Sequence, residues 1–65
     1  MTFEKFVKYV GQLAHKAGIK SHIKFFNDDG DYTARFSDGT VIKGRASSLK
    51  YTIRWGSGHQ AMASY

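Results

Sequence analysis

Apolar side chains at Phe3, Phe6, Val7, Val10, Leu13, Ala14 and Ala17 recur at intervals of three and four residues. That spacing sets all seven along one stripe of an α-helix and predicts a helix over about 3–17. Thr2 precedes the stripe, and its hydroxyl is suited to accept from an early unpaired backbone N–H as an N-cap. Glu4 falls in the first turn and Lys16 in the last, each the sign the helix dipole favours at its end. Gly18 follows where the chain turns left-handed at low cost, and Ile19 supplies the hydrophobic contact that accompanies such a cap.

From residue 20 the period falls to two, the spacing of a half-buried strand. Strands are predicted over about 22–26, 31–36, 40–46 and 49–55. Asn27-Asp28-Asp29-Gly30 and Ser37-Asp38-Gly39 separate the first three, and Asp-Gly is a strong hairpin signal because both residues tolerate positive φ. Ser47-Ser48 marks the next turn. Gly56-Ser57-Gly58 then breaks the pattern, leaving 59–65 as either a short fifth strand or a tail. Connections this short favour neighbouring antiparallel strands. Strands this polar on one side cannot be buried on both faces. The expected fold is therefore α+β: one domain spanning 1–65, with the N-terminal amphipathic helix packed on one face of a four-stranded antiparallel β-meander, five-stranded if the tail pairs.

Alternation sorts the two faces of the sheet. Ile23, Phe25, Tyr32, Ala34, Phe36, Ile42, Gly44, Ala46, Tyr51, Ile53 and Trp55 form the set expected to face the helix. The opposite set holds Lys24, Arg35, Lys43, Arg45, Lys50 and Arg54, with Thr33 and Thr52 between them. Asp28, Asp29, Asp31 and Asp38 fall in or beside the turns, and Glu4 is on the helix. The expectation is a face with six cations and no acid.

Charge gives that face its meaning. The chain has ten Lys and Arg against five Asp and Glu, a formal net charge of +5. Like charges opposite each other on neighbouring strands repel. A polyanion would relieve that repulsion and release its own counterions. Two readings stand side by side: a solvated face whose cations blunt the strand edges, and a binding surface for DNA or RNA. An acidic patch on a protein partner would meet the same chemistry.

Catalytic and metal chemistry find little material. Cys is absent, which removes disulfides and thiolate metal sites. His15, His22 and His59 have no ligand-cluster spacing, and only His59 follows a flexible-looking Gly-Ser-Gly segment. Residues 27–31 resemble part of an EF-hand loop but lack its twelfth-position ligand and flanking helices, and a hairpin explains them equally. Gly56-Ser57-Gly58 is short of a phosphate loop, because no helix and no Lys-Ser/Thr follow it. No cofactor, no metal and no enzymatic activity are expected. No apolar run approaches the roughly 18 residues of a membrane span, and no apolar segment near the N-terminus reads as a signal peptide. A cytoplasmic location without membrane association is the expectation.

The sequence thus points to a small non-enzymatic binding protein, with nucleic acid held through Lys24, Arg35, Lys43, Arg45, Lys50 and Arg54. The alternative is a protein-interaction module, an inhibitor or adaptor using a strand edge or the C-terminal segment. His59, Met62 and Tyr65 would then be its contacts, and edge pairing would give a homodimer. In size and style the chain resembles small accessory proteins of phages and mobile elements.

Overall fold

The structure, a computed structural model, describes residues 1–64. One helix, α1 (Phe3–Lys16), is followed by five strands: β1 (Ile23–Asp28), β2 (Asp31–Phe36), β3 (Val41–Arg45), β4 (Lys50–Arg54) and β5 (Gln60–Ser64). The strands form a single antiparallel sheet in the order β1-β2-β3-β4-β5, an uninterrupted meander. Gln60–Ser64 is therefore a strand and not a free tail.

The helix begins and ends for the local reasons legible in its sequence. Thr2 is the N-cap, and its Oγ1 accepts from the Lys5 N–H at 3.2 Å. At the other end Ala17 is the C-cap and Gly18 takes φ +70°. The Ile19 N–H donates to the Ala14 carbonyl at 2.9 Å, and the Gly18 N–H donates to the His15 carbonyl at 3.2 Å. Together these form a Schellman cap, which satisfies carbonyls the helix end would otherwise leave open. Ala17, expected on the apolar stripe, is exposed, because it lies at the cap and past the sheet-facing turns.

The helix lies across one face of the sheet. Phe6, Val10 and Ala14 are buried against Tyr32, Ala34, Phe36, Ile42, Tyr51 and Ile53. Phe6 meets Phe25 edge-on at 6.4 Å and Tyr32 at 5.4 Å between ring centroids, and Tyr9 meets Tyr51 at 5.1 Å. Burying one such ring contributes about 1.5–3 kcal/mol, against a total stability of about 3–10 kcal/mol for a chain of this length. A few aromatics thus hold a domain that has no cross-link. Ala46, expected in the core with strand three, is exposed instead: β3 ends at Arg45 and residue 46 has entered the turn.

Two turns interlock behind the sheet end. Thr40 is buried, and its backbone N–H donates to Asp38 Oδ1 at 2.9 Å. Its Oγ1 accepts from the Gly56 N–H at 3.2 Å. Gly56 packs so closely on the β2–β3 turn that a Cβ there would collide with the Asp38 carbonyl. Only glycine fits that approach. The β4–β5 hairpin is closed by the Trp55 N–H donating to the His59 carbonyl and the Gly58 N–H donating to the Trp55 carbonyl, both at 2.8 Å, with Gly58 at φ +93°. This lock fixes where β5 starts and hence which side chains of β5 join the open face.

Candidate functional site

The face opposite the helix carries all six cations singled out by alternation. The register arranges them in three rows running across the strands. The first row is Lys24, Arg35, Val41, Arg54 and Gln60. The second is Phe26, Thr33, Lys43, Thr52 and Met62. The third holds Asp28 opposite Asp31, Asp31 opposite Arg45, and Lys50 opposite Ser64. Neighbouring rows lie about 7 Å apart, and the span from β1 to β4 is about 14 Å.

The expectation of a face without acids is corrected here. Asp28 and Asp31 sit within β1 and β2, on the same face as the cations. The reason is the length of the first hairpin. Asp29 at φ +52° and Gly30 at φ +90° make a two-residue turn, with both central residues at positive φ as a type I′ turn requires. The ladder therefore runs on to Asp28, which a four-residue loop over 27–30 would have left outside it, whereas Asp31 opens the strand predicted over 31–36 and shares the face of Thr33 and Arg35 by the same alternation. Arg45 Nε lies 3.3 Å from Asp31 Oδ1, both side chains being mostly exposed. Arg45 is thus already partnered, and this is the one ion pair among the described residues.

The cations are not spread evenly. The first row holds Lys24, Arg35 and Arg54 with no carboxylate. Lys24 and Arg35 are directly opposite each other in the ladder, an arrangement that costs stability while no anion sits between them. The second row holds Lys43 alone among apolar and hydroxyl side chains. In the third, two Asp offset Arg45 and Lys50. Charge therefore falls from strongly positive at one margin to neutral at the other.

Two shallow depressions mark this face, one on each side of the middle row. One, of about 490 Å³, is lined by Arg35, Val41, Lys43, Thr52, Arg54 and Met62 among others. The second, of about 540 Å³, takes in Asp31, Thr33, Lys43, Arg45 and Lys50. They share Lys43, Thr52 and Met62, so the middle row is the ridge between them. Only the first depression is free of carboxylates among its lining residues.

Two residues belong to this face that the sign of charge did not select. Phe26 is a half-exposed aromatic, 47% accessible, at the β1 end of the middle row. Met62, at 70%, closes the β5 end. Phe26 is legible from the alternation of β1. Met62 is not, because its position depends on β5 pairing with β4. The contacts expected of a C-terminal tail are thereby separated: Met62 joins the basic face, and His59 is an exposed turn residue whose carbonyl accepts from the Trp55 N–H. Tyr65 lies outside the described residues.

The remaining motifs take structural roles. In the Gly56-Ser57-Gly58 turn two of the three N–H groups already donate within the protein, to Thr40 and to Trp55, so it offers no free cradle of amides. Residues 27–31 are the first hairpin, with the Gly30 N–H held by Asn27 Oδ1 at 3.3 Å. Among the described residues no three His, Asp or Glu side chains gather as a metal site would need. No helix is long and apolar enough to cross a membrane. No family model, curated protein or solved structure matches this chain.

Proposed function

We propose that this protein is a non-enzymatic nucleic-acid-binding module that uses the open face of its sheet. The observation that carries the reading is the first row, where Lys24 and Arg35 stand opposed and Arg54 extends the same line with no acid among them. A phosphate backbone laid along that row would turn a repulsive arrangement into an attractive one and release condensed counterions. Lys43 adds a fourth cation from the adjoining row. Arg45, tied to Asp31, contributes less, and Lys50 sits at the less basic margin. Such contacts position a backbone without reading bases, so weak sequence preference follows.

The test is a titration with labelled oligonucleotides at two salt concentrations. Binding should weaken steeply with salt. Replacing Lys24, Arg35 or Arg54 singly with Gln should lower affinity and flatten the salt slope by about one for each phosphate left without its cation. Lys16→Gln, on the helix, should leave both unchanged. Absence of binding at low salt, or binding indifferent to salt, rejects the reading.

The second reading, a protein-interaction module, draws support from β5. This edge strand carries no charged residue from Gln60 to Ser64 and exposes Met62. Edges are usually guarded by charge or Pro, and an unguarded one invites strand addition. Sedimentation over a wide concentration range separates the two: self-association without oligonucleotide binding would favour the edge.

A further inference from the structure

We infer that the nucleic acid this face accepts is single-stranded, with its phosphates along the first row and its bases lying over the second, one of them stacked on Phe26. The inference rests on the basic-face reading above and adds the class of ligand. Three observations carry it. The first is the asymmetry of charge. A duplex set on this face would bring one backbone to each margin, since the outer rows lie about 14 Å apart and the major groove is about 12 Å wide. The first row would welcome a backbone, whereas in the third Asp28 and Asp31 cancel the charge of Arg45 and Lys50. One margin attracts phosphate and the other, with no net charge, does not, which suits one strand and not two.

The second observation is the chemistry of the middle row. Phe26, Thr33, Thr52 and Met62 surround Lys43. Apolar surface and hydroxyls beside a basic line are what unpaired bases contact, through stacking and hydrogen bonds at their edges. Paired bases keep their faces inside the duplex and gain nothing from an aromatic ring. The third is the exposure of Phe26 itself. On the helix side of the sheet Phe3, Phe6, Tyr9, Phe25, Tyr32 and Tyr51 make ring contacts with one another. Phe26 instead points to the basic face, 47% accessible, level with Lys43 in the register.

Fluorescence anisotropy of the full chain with an oligothymidylate and an oligouridylate of about 12 nucleotides, and with a DNA duplex of the same length, tests this. Both single strands should bind about tenfold or more tightly than the duplex at equal salt. Phe26→Ala should weaken single-strand binding about tenfold, the order expected for one lost base–aromatic stack, while leaving the salt slope and duplex affinity unchanged. Phe26→Leu preserves apolar bulk without the π-face and should lose as much as Phe26→Ala. It keeps the test decisive if the alanine variant melts early. Equal or tighter salt-dependent binding of the duplex, or full affinity in Phe26→Leu, overturns the single-strand inference while the basic-face reading stands. No binding of any oligonucleotide overturns both.

Discussion

Asp38 shows how a single exposed residue can organise two turns. Its carboxylate accepts from the Thr40 N–H, and Thr40 in turn holds Gly56. The Thr40 backbone N–H, then the Thr40 hydroxyl, favour the charged form and hold the Asp38 carboxyl below its ordinary value, with Ser21 adding a smaller contribution. A depressed carboxylate stabilises the fold fully above its unfolded pKa, and that stabilisation disappears as pH falls through the folded one. The stability difference between wild type and Asp38→Asn should therefore be constant from neutral pH down to about 4 and shrink below it. Urea denaturation at a series of pH values measures this. A difference that grows on acidification would mean that Asp38 is not held charged by Thr40.

At the scale of elements, the helix is the part most fully legible in sequence. Its stripe, its Thr2 cap and its Gly18 terminus depend on residues three to five positions apart, and the structure has them where the pattern puts them. One residue works against it. Gly11 lies mid-helix, exposed, with nothing within 4 Å of where its Cβ would be. Glycine loses more backbone freedom on folding than alanine, so Gly11→Ala should stabilise the protein by about 0.5–1 kcal/mol. A rise in the urea midpoint at constant slope is the expected result. The first four strands are legible in number and type, but their ends are not, and the fifth is decided only by its pairing with β4. β1 runs on to Asp28, two residues beyond the predicted 26, while β3 and β4 are each shorter by a residue at both ends. Turn length decides those ends, and the residue it adds to the open face, Asp28, is an acid.

At the scale of the whole molecule, compactness and charge pull in opposite directions. The radius of gyration is 10.8 Å, about the value expected of a compact chain of this length. Into that volume the fold places six cations on one face, in a molecule of net charge +5. Their mutual repulsion is a cost borne by the free protein. Screening should relieve it: raising NaCl from about 20 mM to about 0.3 M, where the Debye length falls below 10 Å, should raise Tm by a few degrees, of the order that several tenths of a kcal/mol produces in a domain this size. A Lys24→Gln/Arg35→Gln double variant should melt higher at low salt and respond less to NaCl. A Tm that salt leaves flat in the wild type would show that the face carries no such cost, and would weaken the argument for an anionic partner.

The sequence by itself determined the helix, the first four strands, the meander and the two-sided character of the sheet, because each follows from local periodicity or from turn residues with special backbone freedom, while the pairing of a fifth strand was left to the structure. It also determined which cations share a face, since alternation along a strand is a local property. Tertiary structure alone decided how those cations are grouped. Whether Lys24 faces Arg35, whether Asp31 meets Arg45 and whether Met62 lies beside Thr52 are matters of register between strands, and register depends on hairpin length and on the Thr40–Gly56 lock between two turns. A two-residue turn in place of a four-residue one brought Asp28 onto a face expected to have no acid, opposite Asp31, which alternation along β2 already placed there. That converts a uniformly basic surface into one graded from positive to neutral, and the gradient comes from pairings that no single strand encodes.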